Sequence, residues 1–137
     1  MWNWVTITEV SRKFDISQDT LRYYERVGLI PRVNRNKSGI RNYTEEDCNW
    51  VEFIKCLRGA GLSIEVLIEY VRLFLEGDDE TVEARKELLI EQRRQLMLRM
   101  EEMKRTLERM DYKIASLDQR IVKAEQTLRK MENHHGV

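Results

Sequence analysis

The sequence has no surplus of either charge: 24 Lys and Arg stand against 24 Asp and Glu in 137 residues. Nucleic-acid-binding domains usually declare themselves by excess cations, so the overall balance taken alone points away from one. No apolar run approaches the roughly 20 residues that a membrane-spanning helix needs, and no charged-then-apolar leader opens the chain. Cysteine is scarce, with only Cys48 and Cys56, which excludes a disulfide scaffold. A cytoplasmic, reduced protein with no membrane partner is expected. The two histidines, His134 and His135, are adjacent and near the C-terminus, so no imidazole stands beside a thiol for nucleophilic catalysis. Nor do thiolates and imidazoles cluster as a metal site requires. No enzyme activity, metal or cofactor is expected. The length supports one compact domain of modest core plus an extended element, and not a large barrel.

What the chain does have is a heptad seam. With Met100, Leu107, Ile114, Ile121 and Leu128 at position a, Leu96, Met103, Met110, Leu117, Ala124 and Met131 fall at d. Such alternation keeps one apolar edge toward a partner along a supercoiled helix, so dimerisation through this helix is expected. The g positions Arg99, Lys113 and Arg120 are basic and the e positions Asp111, Asp118 and Glu125 acidic. That complement by itself suits parallel strands.

The charge balance also hides a polarity. From Met1 to Tyr43, eight Lys and Arg face only Glu9, Asp15, Asp19 and Glu25, which makes this end a basic head. Thr6 to Glu9 fits a capping box and predicts a short helix to Phe14. Asp15 and Ile16 make a turn, and Ser17 caps a second helix with Leu21 and Tyr24 on one side and Asp19, Arg22, Tyr23 and Arg26 on the other. Gly28 closes it and Pro31, the only proline, prevents its resumption. Asn34 to Gly39 is turn chemistry between short β-prone stretches, predicting a hairpin wing. Thr44 restarts helix, with Trp50, Phe53, Ile54 and Leu57 as its apolar stripe. Ser63 caps a fourth helix carrying Ile64, Leu67, Ile68, Val71 and Leu75. Asp78, Asp79 and Glu80 then introduce the last helix. The expected fold is mainly α: a winged helix-turn-helix head with two linker helices over 1–77, a coiled-coil dimerisation helix over 78–132, and a tail over 133–137.

A two-helix unit with a cationic outer face and a following hairpin meets the needs of duplex DNA, because one helix enters the major groove while flanking cations neutralise phosphates. The strings Thr6-Ile7-Thr8-Glu9-Val10 and Leu21-Arg22-Tyr23-Tyr24-Glu25-Arg26-Val27-Gly28-Leu29-Ile30, followed by Arg41-Asn42-Tyr43, resemble the MerR family of bacterial transcription regulators. The likeness continues through the linker helices into the coil. It implies a homodimer on double-stranded promoter DNA, joined by an antiparallel coiled coil, the reverse of what the e and g charges suggest. It further implies that promoter DNA is bent and untwisted so that RNA polymerase can engage it, a form of indirect readout. On this likeness Arg22 and Tyr23 address backbone and groove edge, Thr20 and Arg26 lie nearby, and Arg41 and Tyr43 clamp phosphate from the wing, with Lys37 at its turn. Tyr24 reads as core.

Phe53 to Arg58, with Gly61 to Ser63 after it, resembles the aldehyde- and thiol-stress-responsive branch of that family, the AdhR/NmlR-like regulators. The likeness implies that Cys56 is the sensor, a thiol open to reactive carbonyls; a small buried apolar side chain is the alternative. Cys48 and Cys56 stand two turns apart on different faces of one helix, so they cannot form a disulfide with each other. Two other readings stay open: a MerR-type regulator of a different signal, and a coiled-coil adaptor whose head binds protein.

Overall fold

The computed structural model describes the backbone from Val5 to His135 and the side chains from Val5 to Asn133. Trp2 and Trp4, the tail residues Gly136 and Val137, and the side chains of His134 and His135 lie outside what is described. Five helices follow one another: α1 (Ile7–Phe14), α2 (Gln18–Val27), α3 (Glu45–Gly59), α4 (Ile64–Glu76) and α5 (Val82–His135). They divide into two compact bodies, Met1–Arg93 and Arg94–Val137.

Helices α1 to α4 each begin where the sequence offers a side-chain acceptor to free backbone amides. Thr6 and Glu9 form a reciprocal capping box on α1, Thr44 and Asp47 form another on α3, and the Ser17 and Ser63 hydroxyls accept from Thr20 and Val66 amides. The turn between α1 and α2 is tight because Asp15 adopts a left-handed conformation, φ 53°, which a short polar side chain tolerates. Gly28, φ 85°, ends α2 by donating its N–H to the Tyr24 and Glu25 carbonyls. Leu29, Ile30 and Val33 then dive into the core.

That core is one cluster running from Val10, Ile16 and Leu21 through Tyr24, Leu29 and Tyr43 to Val51, Ile54, Leu62 and Leu67. On α3 the buried positions are Cys48, Val51 and Ile54; of the stripe expected from spacing only Ile54 is buried, and Trp50, Phe53 and Leu57 are half-buried against the core. Trp50 and Phe53 instead build a second, half-buried aromatic layer with Tyr70 and Phe74 of α4, at ring separations of 5.0 to 6.2 Å. Leu75, expected in the α4 stripe, is exposed.

The wing is a hairpin in its pairing but has no regular strand. Arg35 bridges Arg41, Asn42 N–H donates to Asn34, and Asn36 and Ile40 close a three-residue loop whose Gly39 has φ 77°. The Asn36 side chain accepts from Ser38 and Ile40 amides and holds the loop shut. Val5 pairs with Tyr43 through two backbone hydrogen bonds, stitching the chain's start to the end of the wing.

Asp78 and Asp79 lie in the turn ahead of α5. Arg85 locks that turn, donating to the Asp78 carboxylate at 2.7 Å while its guanidinium stacks over Tyr70 and Phe74 at 5.6 and 5.5 Å. In the second body the expected seam residues are exposed, from Leu96 at 37% to Met103 at 67%. Helix α5 continues through His135, past the expected end of the coil at 132.

Candidate nucleic-acid interface

Helix α2 leaves Arg22 and Arg26 exposed because Leu21 and Tyr24 are taken by the core, while Tyr23 is half-buried and packs against that core. Arg22 is steered by Asp19 at 3.0 Å and by the Gln18 side chain at 3.3 Å, and Arg26 lies 5.6 Å from the ring centre of Tyr23. Thr20 sits at the entrance of the helix, its hydroxyl 2.8 Å from that of Ser17. Between this face and the wing runs a cleft of about 490 Å³ lined by Arg22, Arg26, Arg32, Arg35, Arg41 and a single acid, Glu25. Arg35 is aimed by a hydrogen bond to the Gly39 carbonyl, and Lys37 is exposed at the wing tip. Five guanidiniums around one carboxylate form a focus of positive potential, and their planar forks match phosphate oxygens.

Of the residues expected to meet DNA, Arg22 and Arg26 line this cleft, Thr20 and Tyr23 are half-buried on α2, and Lys37 is exposed at the wing tip. Two are placed differently. Tyr43, expected to clamp phosphate, is fully buried, and its hydroxyl has no hydrogen-bond partner among the described residues. Burial pushes the phenol up to about 12, countered in part by the charge of Arg41. Its ring fills the core under the wing because its backbone is tied to Val5. Arg41 lines the cleft, but its side chain is only 20% exposed and its Nε is committed to Glu25 at 2.8 Å. Sequence reasoning gave no DNA role to Arg32 or Glu25: the first was only one of the head's cations at the start of the wing stretch, and the second stands 16 residues from the arginine it holds.

Cys56 is exposed and unbonded, so it is not the small buried side chain that was its alternative reading. Cys48 is that side chain: it is buried, and desolvation pushes its thiol pKa up. Next to Cys56, the Lys55 ammonium donates to the carbonyl of Phe14 at the end of α1, tying this part of α3 to the helix-turn-helix. Among the described residues no group of three His, Cys, Asp or Glu side chains could hold a metal ion, and no helix is long and apolar enough to cross a membrane.

A helix-turn-helix followed by a short wing, with arginines gathered between recognition helix and wing, defines a DNA-binding regulator head. The comparisons with known proteins agree. Residues 5–73 match the family model for MerR HTH family regulatory proteins. The HTH-type transcriptional regulator AdhR of Bacillus subtilis is 60% identical over 93 residues, covering 68% of this chain and 66% of that protein, slightly under two thirds of its length. Among solved structures, a MerR family transcriptional regulator from Listeria monocytogenes superposes with a TM-score of 0.88 at 45% identity, covering 96% of this chain and 98% of the other. HiNmlR, a MerR family regulator lacking the sensor domain and solved bound to promoter DNA, superposes with a TM-score of 0.75 at 33% identity, covering 82% and 89%. The chain belongs to the MerR family of helix-turn-helix transcription regulators, and its similarity to AdhR and HiNmlR places it in the AdhR/NmlR-like branch. These relatives are named as regulators.

Proposed function

We propose that the protein is a homodimeric promoter-binding regulator that acts in the cytoplasm, pairs through an antiparallel coiled coil of α5, and distorts duplex DNA to bring RNA polymerase into register. The arginine cleft between α2 and the wing carries this reading, since five guanidiniums against one carboxylate on one side of a small domain suit a polyanion. Thr20, Arg22, Tyr23 and Arg26 meet the groove edge and its phosphates, while Arg32, Arg35 and Lys37 follow the backbone beyond. The exposed apolar seam of α5 supplies the second copy, and HiNmlR, which lacks a sensor domain, binds promoter DNA. Binding should therefore weaken steeply with salt, with a slope of log affinity against log salt close to about −0.9 for each phosphate neutralised. A duplex affinity that is flat between low and physiological salt would remove the DNA role.

The signal proposed is a reactive aldehyde at Cys56. The thiolate sulfur adds to the carbonyl carbon, the π electrons move to oxygen, and that oxygen takes a proton from water to leave a hemithioacetal. An adduct there sits beside Lys55, whose hydrogen bond reaches the end of α1, so a shift of α3 is passed to the helix-turn-helix. Transcription from the protein's own promoter, with and without formaldehyde or methylglyoxal, tests it. Induction is expected for wild type and lost in Cys56→Ser; equal induction in both would assign the signal to another group.

A further inference from the structure

Helix α2 carries an acid where a polyanion would arrive. Residues 19, 22, 23 and 26 recur at helical spacing, so Asp19 stands on the same side as Arg22 and Arg26, in the first turn of the helix. Its side chain is 96% exposed; Oδ1 accepts from Arg22 Nη1 at 3.0 Å, and Oδ2 has no hydrogen-bond partner among the described residues. The helix does not need it as a cap, because the Ser17 hydroxyl already accepts from the Thr20 amide at 3.1 Å. Arg22 does not depend on it alone for its aim, because the Gln18 side chain accepts a second bond at 3.3 Å. Stability does not account for it either: an ion pair this exposed contributes little, and the dipole benefit of an acid in the first turn is small and screened by salt. Against DNA the same carboxylate repels phosphates, so among arginines it costs affinity at every sequence that offers it nothing in return. An amino group on a base edge would offset that cost. The start of the second helix of a helix-turn-helix is the part that meets base edges in the major groove. There guanine and thymine present oxygen acceptors, adenine sets its amino group beside the N7 acceptor, and cytosine presents its N4 amino group alone. An ionised carboxylate only accepts, so cytosine is the base that suits Asp19 without an opposing lone pair.

We propose that Asp19 is a specificity-determining residue: through Oδ2 it accepts a hydrogen bond from the N4 amino group of one cytosine in each half-site, and its charge penalises sequences that lack an amino group there. The inference rests on the DNA-binding reading above and deepens it. The arginines hold phosphates whatever the sequence, and Asp19 decides at which sequence that hold is strongest.

The test is selection of duplexes from a random-sequence pool by the full-length wild type, Asp19→Ala and Asp19→Asn. Affinities are then measured on the selected duplex, on its single base-pair substitutions and on a non-specific duplex of equal length. Wild type must first enrich a motif and bind it in a salt-dependent way, and if it does not, the DNA-binding reading fails before this one is reached. It is expected to select cytosine at one position of each half-site and to lose about tenfold in affinity when that base pair is replaced. Asp19→Ala should accept all four bases at that position, keep the rest of the motif, and bind the non-specific duplex about threefold more tightly, since a like charge has left the interface. Asp19→Asn should exchange the cytosine for adenine, whose N6 and N7 an amide meets as acceptor and donor together. An Asp19→Ala motif identical to that of wild type overturns the proposal. So does a uniform fall in its affinity at every sequence, the result expected if Asp19 only aims Arg22. Thermal melting of both variants accompanies the selection; should Asp19→Ala not fold, Asp19→Asn, almost unchanged in shape, decides, and a motif that keeps the cytosine overturns the proposal equally.

Discussion

The two bodies of this chain solve the burial problem in opposite ways. In the first, short helices capped at almost every start surround a core in which Leu21, Leu29, Tyr43, Val51, Ile54 and Leu67 have no measurable exposure. In the second, a single helix repeats an apolar edge as regular as any in the chain, yet Leu107, Met110, Ile114 and Ile121 remain more than half exposed. The head supplies its own second layer, whereas among the described residues the seam of the coil is left exposed. A long isolated helix takes most of its stability from packing of its apolar face, so the head should fold as a monomer and the coil only as a pair.

The sharpest way to break that contrast is to place a charge in the seam. Leu107→Asp with Ile114→Asp should weaken self-association by more than a thousandfold, seen as monomer in sedimentation at micromolar protein, because each buries an unpaired carboxylate. Near-native melting of the head in that variant would sharpen the comparison; collapse of both would erase it. The mirror experiment is Ile54→Ala, which should cost the head about 2–5 kcal/mol in chemical denaturation through a core cavity and leave self-association intact. Arg22→Ala should lower duplex affinity across sequences and reduce the salt slope by about 1 without moving either stability.

The smallest effect is expected at Tyr43→Phe. Its hydroxyl is buried with no partner among the described residues, so removing it should cost nothing or add up to about 1 kcal/mol. The alkaline limb is more telling. The folded phenol titrates near 12 against an ordinary value of 10.0, so the stabilisation is complete below pH 10 and is lost as pH rises toward 12. Buried Tyr24, also raised by desolvation, adds in the same sense. Wild type should therefore lose stability between pH 10 and 12, and Tyr43→Phe should lose less of it.

What was legible from residue order was local. The starts of α1 to α4 were visible in Thr6, Ser17, Thr44 and Ser63 because capping is decided within four residues. The stop at Gly28 and the seam of α5 were visible for similar reasons. What escaped was decided at a distance. Trp50 and Phe53 have the spacing of a core stripe, but α4 offers them Tyr70 and Phe74, so beside the expected Ile54 the head's centre is filled by Cys48 and Val51. Tyr43 and Arg41 sit in a wing and looked outward-facing; the pairing of Tyr43 with Val5 turned the first in, and the reach of Glu25 holds the second by its Nε. For the interface, the outward cations of α2 could be read from helical periodicity, while the cleft, with Arg32 and Arg35 beside them, appears only when the wing folds back.

The seam has one more property. Met100, Met103, Met110 and Met131 occupy four of its positions, and an unbranched thioether swivels about three bonds to fill whatever hollow it is offered. A zipper of branched side chains resists axial rotation because its teeth have one fit. In the proposed dimer this one has slack, and a small twist imposed at one operator half-site can be absorbed by rotamer changes without opening voids. The joint would then be compliant, its stiffness set residue by residue, and replacing those methionines with isoleucine should yield a tighter pair that responds less readily to its inducer.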